Sequence, residues 1–449
     1  MTPGVPALSE TGVALCIFFI LLVPLAAAGL SLINAGLGRS HSAAHSMMAS
    51  LCVLGVAAIT YFVFGFAWQG YIGGPAHSFW IAGKSWNWLA SEPFFFRGLD
   101  FRGSSASLVA ALQLLSVGIC ALIPLGSGAG RWRLGAICIS TIFLAGCTYP
   151  LFAHWVWSGG WLAQLGANYG LGHGFMDLGG ASTIHIVGGL SALTIAWTLG
   201  PRQGKYSLEG MPTAIPGHNA VIVLFACLLA WLGWIGLNSA GAILFAGTDP
   251  ARSILVFVNT TLAAVSAALA AASMTRLRFG KADASLSANG WIGGLVASSA
   301  SCAFVTPLGA VAIGLAAGAL VTFAVEVFEL RLTVDDPSGG ISVHAVGGIW
   351  GVLAAGLFAR FPESVPSTSS FAALGAGKGD SGQWLAQLVG ISTLLGFVLP
   401  LTYGFQRLLN RFYPQRVSPE GERQGMDLHE LGAGAYPDFV SNIDEFTQR

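Results

Sequence analysis

Two histidines, His185 and His344, lie in apolar segments at matching places of an internal repeat. Each follows an aspartate by eight residues, in D-L-G-G-A-S-T-I-H and D-P-S-G-G-I-S-V-H, and each precedes x-V-G-G-[Leu/Ile]. Ionisable groups in an apolar span are costly and usually face an interior or a pathway. Two imidazoles in contact in a dry lumen would not both be charged, so they would offer donor and acceptor nitrogens along a pore. Two unrelated core histidines, each bonded to a backbone carbonyl, are the alternative.

The aspartates of the repeat, Asp177 and Asp336, fall near the start of the same two segments. A carboxylate there accepts backbone N–H groups and suits the positive end of a helix, which predicts a capping role. Asp177 could also stabilise an incoming cation. Trp157 ends the preceding apolar segment, where it is either part of an interfacial aromatic belt or a ring that holds a cation, an interaction of about 2 kcal/mol when desolvated. His154, in the same segment, is interpreted as a packed residue.

The elements that position these residues must be membrane helices. The chain has 449 residues, 54% hydrophobic and 9% charged, where a soluble protein carries about 25% charged residues. So few charges exclude a soluble enzyme and a disordered regulator. Lys+Arg 20 balances Asp+Glu 20, so no basic surface indicates nucleic-acid binding. No motif indicates an enzyme, a cofactor or a metal site, and the seven cysteines, all in apolar runs, are typical of small buried hydrophobes.

Apolar runs of about 20 residues predict an all-α polytopic membrane protein with eleven transmembrane helices. The predicted spans are 11–38, 46–68, 106–126, 132–157, 178–200, 219–241, 252–275, 286–304, 307–331, 340–360 and 384–409. The first is interpreted as a span and not as a signal peptide, because no Lys or Arg precedes it.

The repeat divides residues 1–409, the predicted transmembrane domain. Repeat one covers about 11–200, repeat two about 219–360, and an extra C-terminal helix covers 384–409. Because five helices are an odd number, the two five-helix repeats have opposite topology, a design found in transport proteins with the functional site at the repeat interface. Residues 410–449 form a polar tail.

The distribution of basic residues predicts the orientation. If the N-terminus lies outside, 14 of the 20 Lys and Arg residues fall on the inner side. The sequence therefore predicts a multi-pass protein of the cell (inner) membrane, in contact with membrane lipid, whose C-terminal tail is cytoplasmic.

Several long strings resemble the ammonium transporter family (Amt/Mep/Rh), and its Amt branch in particular. They are AHWVWSGGWLAQLG (153–166), DLGGASTIHIVGGLSAL (177–193), GHNAVIVLFACLLAWLGWIGLNSAGA (217–242), DDPSGGISVHAVGGIWGVLAAGLFA (335–359) and, in the tail, GMDLHELGAGAYP (425–437). The resemblance covers almost the whole chain in order. It implies a homotrimer in which each protomer has its own pore and takes up ammonium at an outer vestibule. Ammonia and a proton then pass a narrow channel, and a PII-type signal protein is implied as a partner of the tail.

The resemblance also implies roles for single residues. His185 and His344 match the twin pore histidines, and Trp157 and Asp177 match the recruitment residues of the outer vestibule. Further pore-lining positions are Leu112, Gln113, Ser116, Trp234, Leu237, Asn238 and Gly241. The pore departs from the family pattern, because Ser116 and Leu237 replace two gate phenylalanines, Leu112 replaces a vestibule phenylalanine and Gly241 replaces a vestibule serine.

Three functions follow as candidates. The first is conduction of ammonia with a separately relayed proton, because an apolar pore offers a bare ammonium ion few of the hydrogen bonds that water offers. The second is an ammonium sensor with the same fold, since the lost phenylalanine gate suits a binding device with slow flux. The third is a pore for methylammonium or another small neutral molecule.

Overall fold

Eleven helices of 15 or more residues make up most of the part of the chain that the structure describes. The structure, a computed structural model, describes residues 8–361 and 382–436. Ten of the helices are long and apolar enough to cross a membrane, and α8 is shorter, with 15 residues. The helices are α1 Glu10–Leu37, α2 Ser40–Gln69, α3 Ser105–Gly128, α4 Leu134–Trp157, α5 Ala181–Leu199, α6 Ala220–Ala246, α7 Pro250–Phe279, α8 Ala284–Ser298, α9 Pro307–Arg331, α10 Ile341–Phe358 and α11 Gln383–Phe412.

This order confirms the predicted polytopic helical fold of two five-helix repeats, α1–α5 and α6–α10, followed by α11. The last part of the predicted tail, 437–449, is not among the described residues. Neither is Lys378, one of the basic residues predicted to lie on the outer side of the membrane. The domain limits derived from the sequence stay a prediction.

The first helices of the two repeats, α1 and α6, pack along most of their length. Glycines make this close approach possible. A Cβ on Gly29 would lie 2.7 Å from the carbonyl oxygen of Ala226, and a Cβ on Gly233 would overlap the backbone nitrogen of Ala26. In a lipid environment helix association depends on such close contacts, because burial of apolar surface drives it little.

The fifth helices of the repeats, α5 and α10, cross beside the two histidines. The second glycine of each V-G-G motif lies at the crossing: a Cβ on Gly189 would overlap the backbone nitrogen of Ala345, and one on Gly348 would lie 2.7 Å from the carbonyl oxygen of Ala181. The motif therefore serves the approach of the helices that carry His185 and His344.

We expect Gly189→Val to lower stability by about 1–3 kcal/mol, because the added methyl groups force α5 and α10 apart. Thermal unfolding of the purified variant in detergent measures the effect. Gly55→Val is the matched control, since a Cβ there meets nothing within 4 Å on the exposed side of α2. Equal unfolding temperatures for both variants and the wild type would contradict this assignment.

Several helix limits differ from the predicted spans, among them the start of α2 and the end of α6, and two of the differences have a clear physical reason. α5 begins at Ala181 and not at residue 178, because Gly180 takes a left-handed conformation with φ +94°. α8 ends at Ser298 and not at residue 304, because the carbonyls that follow accept hydrogen bonds from another segment. The carbonyl of Ser299, for example, accepts the N–H of Gly179 at 2.7 Å.

A β-hairpin interrupts the helical pattern between α2 and α3. Strand β1, Ala76–Ile81, pairs antiparallel with strand β2, Lys84–Ala90. The turn between them consists of Ala82 and Gly83, both with positive φ, as favoured hairpin turns require. The predicted elements are helices alone and do not include this hairpin, although the Ala-Gly pair between two segments with aromatic residues is a usable signal for it. We call this side of the bundle the hairpin end.

The tail folds back on the opposite side, which we call the tail end. The Asp427 carboxylate accepts the backbone N–H of His45 at 2.7 Å and that of Ala44 at 3.2 Å, near the start of α2. The Glu430 carboxylate accepts the N–H of Leu134, the first residue of α4, at 2.8 Å. The tail thus caps two membrane helices, and carboxylates at helix N-termini are stabilising.

An ion cluster lies beneath the tail. Both carboxylate oxygens of Asp335 accept hydrogen bonds from the Arg202 guanidinium at 2.8 Å, and the fully buried Arg131 lies 3.7 Å away. Burial opposes ionisation of Asp335, but the bonds from Arg202 and the charge of Arg131 outweigh it and lower the pKa of the carboxyl from 3.8 to about 2. The cluster fixes the segment that leads into α10.

Candidate functional site

The two histidines of the repeat meet in the middle of the bundle. The Nδ1 atoms of His185 and His344 lie 3.2 Å apart, and the ring planes are inclined by 27° with centroids 5.2 Å apart. Both rings are buried. Each lies in a widened first turn of its helix, Ala181–Ile186 or Ile341–Val346, a π-helical geometry that is frequent at functional sites. The site is therefore built from equivalent elements of the two repeats.

Several buried polar atoms on the helices of the site have no hydrogen-bond partner in the part of the chain that the structure describes. The ring of Trp234 stacks on His185 with centroids 4.9 Å apart and planes 8° from parallel. Among the described residues no hydrogen-bond partner is found for His185 Nε2, Trp234 Nε1, Asn238 Oδ1 or Gln113 Nε2. Such buried groups are costly unless a ligand or water satisfies them. His185 and the Trp234 ring stacked on it therefore have unpartnered nitrogens within the described ranges, as a binding position for a small polar molecule requires.

Asp177 is a helix cap. Its carboxylate accepts the backbone N–H groups of Gly180, Ala181 and Ser182, each at 2.8 Å, and the Ser182 hydroxyl at 2.5 Å. The residue is 1% exposed, so these donors occupy the carboxylate and no face of it is open to solvent. The equivalent Asp336 accepts the N–H of Ile341 at 2.8 Å, which makes the caps of α5 and α10 alike.

We expect Asp177→Asn to lower stability by about 1–3 kcal/mol, because an amide replaces an acceptor oxygen with a donor that faces other donors. Asp283→Asn is the control. Asp283 caps α8 at an exposed site with a 2.8 Å bond from the N–H of Leu286, where Asn caps as well as Asp. Thermal unfolding of both variants tests this, and an unchanged Asp177→Asn would argue against the buried cap.

A small cavity of about 30 Å³ lies at the hairpin end above Asp177. Trp157 lines it, donates from its indole nitrogen to the Asp177 carbonyl at 2.5 Å, and stacks on Phe245 with centroids 4.5 Å apart. The other lining residues are Tyr71, Ile72, Ser105, Val109, Leu244 and Phe245. Phe245 and Tyr71 are not among the predicted site residues. The only sequence signal for Phe245 is its position two helical turns after Leu237 on α6. Trp157 is 2% exposed, so it is not part of a lipid-facing belt.

A second cavity of about 10 Å³ lies on the other side of the histidine pair. His344 lines it together with Leu30, Ile33, Asn34, Ile123, Asn289, Ile292, Ser338, Gly340 and Val343. Polar side chains of both repeats thus line this cavity, and Asn34 is held by a 3.0 Å bond from its amide to the carbonyl of Leu122.

The remaining predicted pore positions are buried around α3 and α6. The Gln113 side-chain oxygen accepts the Tyr149 hydroxyl, and the Ser116 hydroxyl donates to the carbonyl of Leu112 at 2.8 Å. Leu112 and Leu237 are almost fully buried. A Cβ on Gly241 would overlap the Leu178 carbonyl, so only glycine fits there. Within 8–361 and 382–436, no group of His, Cys, Asp and Glu has the arrangement of a metal site.

Known proteins share both sequence and fold with this chain. The model of the Ammonium Transporter Family matches residues 13–436. The chain is 35% identical to the ammonium transporter Amt2 of Archaeoglobus fulgidus, over 94% of this chain and 88% of the relative, and 31% identical to the ammonium transporter of Bacillus subtilis, over 94% and 98%.

Two solved structures have the same architecture. One described as a sensor Amt protein superposes with a TM-score of 0.80 at 26% identity, covering 93% of this chain and 98% of the other. Candida albicans Mep2 has a TM-score of 0.76 at 24% identity, covering 96% and 91%. The sequence match covers almost the whole chain, and the fold agrees with it. The chain therefore belongs to the ammonium transporter family.

Proposed function

We propose that this protein conducts ammonia across the membrane along a path that leads from the hairpin-end cavity past His185 and His344 to the cavity at the tail end. The observation that carries the proposal is the 3.2 Å contact of the two buried rings between the two cavities. Membership of the family and relatives named as ammonium transporters support ammonium or ammonia as the substrate.

Selectivity follows from desolvation. A potassium ion cannot lose its charge, so entry into an apolar passage costs it most of its hydration energy. Ammonium can release a proton and continue as ammonia, which both donates and accepts hydrogen bonds. The unpartnered Nε2 of His185 is available to such a molecule. We propose that the histidines relay the released proton separately.

The other predicted site residues take supporting roles in this proposal. Trp157, with Phe245 stacked on it, would recruit the cation through its ring face, and Asp177 would stabilise it indirectly by fixing α5. Trp234, Asn238 and Gln113 would offer polar atoms along the path. Leu112, Ser116, Leu237 and Gly241 would form its wall.

Orientation and assembly complete the proposal. The basic residues favour an outer N-terminus and a cytoplasmic tail, so the hairpin end would face outward. The family resemblance favours a homotrimer in the cell membrane, with a PII-type signal protein as the partner of the tail.

An ammonium sensor is the second candidate. The structure described as a sensor Amt protein has the same fold at 26% identity, and the buried, narrow surroundings of the histidines suit binding with slow flux. Methylammonium and other small neutral molecules are competing substrates of the same passage.

Purified protein in liposomes on a solid-supported membrane tests these functions. Pulses of ammonium should evoke a current, while potassium pulses of equal strength should evoke none. Saturable binding of ammonium without current or uptake would replace conduction with the sensor. A larger response to methylammonium than to ammonium would change the substrate.

A further inference from the structure

The connection between α2 and α3, residues 70–104, carries an unusual number of exposed apolar side chains. We call it the aromatic loop. At the tip of its hairpin Phe79 is 56% exposed, Trp80 76% and Ile81 58%. Its other exposed apolar residues are Trp88, Phe94, Phe95 and Phe101. A short segment of a soluble surface rarely exposes so many large apolar side chains, which indicates an interaction.

Ring contacts join the hairpin to an exposed residue of a membrane helix. The ring centroids of Phe79 and Trp88 lie 6.4 Å apart, and those of Trp88 and Trp155 lie 5.3 Å apart. The centroid of Trp155 is in turn 5.2 Å from that of Phe397. Phe397 lies in the apolar span α11 and is 40% exposed, as is expected of a residue that faces lipid. An aromatic row therefore runs from the exposed side of α11, through the buried Trp155, to the hairpin.

The second half of the loop is joined to another membrane helix in the same way. The ring centroid of Phe95 lies 5.7 Å from that of Phe62 in α2, and Phe62 is itself exposed. Phe96 fixes this half by edge contacts with Tyr61 at 6.2 Å and Phe66 at 5.2 Å. The aromatic loop is thus attached to two apolar helix surfaces at the hairpin end.

Basic residues accompany the exposed rings. Lys84 Nζ lies 4.6 Å from the ring centre of Tyr169, and the Arg97 guanidinium lies 5.7 Å from that of Phe95. Arg102 is exposed beside Phe101. Aromatic rings with Lys and Arg next to them are typical of the membrane interface, where rings enter the boundary with the acyl chains and cations contact phosphates.

The backbone of β1 supports the same interpretation. It is the edge of a two-stranded sheet, and five of its six residues are exposed. An uncovered edge strand that carries exposed Phe, Trp and Ile at consecutive positions favours aggregation in water. We therefore expect another surface to cover β1. The adjoining exposed apolar surfaces of α2 and α11 indicate that this surface is lipid.

We propose that the aromatic loop is an interfacial membrane anchor. It lies in the headgroup layer at the hairpin end, with Phe79, Trp80 and Ile81 inserted at the boundary with the acyl chains. Its binding partner is the lipid surface. Tyr71, in the first part of the same loop, lines the hairpin-end cavity, so the lipid surface holds one wall of that cavity in position. This anchor does not depend on what the protein conducts.

Photocrosslinking in a bilayer tests the anchor. The photoreactive residue p-benzoylphenylalanine is introduced at position 80, and separately at position 101, of the full chain in vesicles of phosphatidylethanolamine and phosphatidylglycerol. After irradiation, intact-mass spectrometry detects lipid adducts, and denaturing electrophoresis detects links between protein chains. We expect lipid adducts at both positions.

Two further positions calibrate the result. The same residue at position 397 is the positive control, because Phe397 faces outward from α11, and at position 208 it is the aqueous control, because Leu208 is fully exposed between α5 and α6. Adducts at 80 and 101 like those at 397 support the anchor. If neither position 80 nor position 101 gives lipid adducts, as at 208, the anchor is overturned. Links between two protein chains at position 80 in place of lipid adducts would also overturn it, because a second copy of the chain would then cover the hairpin.

Discussion

Ammonium-evoked current should fall about tenfold or more when His344 is replaced by alanine. The substitution removes the partner of His185 Nδ1, which lies 3.2 Å away, and leaves that buried nitrogen unsatisfied. The proposed proton relay also loses one of its two rings, and the passing ammonia loses a hydrogen-bonding partner. A lost hydrogen bond that raises the barrier by about 1.4 kcal/mol lowers the rate by a factor of ten. His185→Ala should have an effect at least as large, because it also removes the ring on which Trp234 stacks.

Currents from reconstituted protein measure this effect, normalised to the amount of protein and accompanied by thermal unfolding to separate conduction from folding. His77→Ala is the control, since His77 is exposed on β1 and far from the pair in the chain. Wild-type currents from folded His185→Ala and His344→Ala proteins would remove the histidines from the mechanism.

Stability should fall by about 3–5 kcal/mol when Asp335 is replaced by alanine, the range for removal of one partner of a buried ion pair. Arg202 would lose two hydrogen bonds of 2.8 Å, and Arg131, which is fully buried, would lose its nearest carboxylate. Thermal unfolding in detergent measures the loss. Glu420→Ala is the control, because Glu420 pairs with Arg423 on the surface, where ion pairs contribute little.

The same carboxyl predicts how stability depends on pH. Because the pKa of Asp335 is lowered from 3.8 to about 2, its contribution is complete above pH 3.8 and is lost as the pH falls towards 2. The wild type should therefore lose more stability than Asp335→Ala between these values. Parallel losses in both proteins would contradict the low pKa.

The sequence predicted the helices and the central pair for clear physical reasons. Long apolar runs leave the helix as the favoured structure in lipid, and the repeated aspartate, histidine and V-G-G positions related the two halves of the chain. The twofold relation implied that His185 and His344 would meet, and Gly189 at the crossing of their helices explains why the motif includes a second glycine.

Other features depend on contacts that the sequence does not reveal. The stacking of Phe245 on Trp157 joins α6 to α4. The bonds of Asp427 and Glu430 to the starts of α2 and α4 join residues almost three hundred or more positions apart along the chain. No local pattern relates such partners. The hairpin was missed for a different reason, because its alternation is short and lies between strong helical signals.

The contact between like atoms of the two imidazoles gives the centre of the protein a polarity. With both rings neutral, a hydrogen bond between two Nδ1 atoms contains a single proton, so one ring donates and the other accepts. The donating ring then has a bare Nε2, whereas the accepting ring carries hydrogen on its Nε2. Although the two repeats are equivalent, the two rings of the pair therefore differ in the protonation of Nε2. Exchanging the donor and acceptor roles requires both rings to change tautomer together.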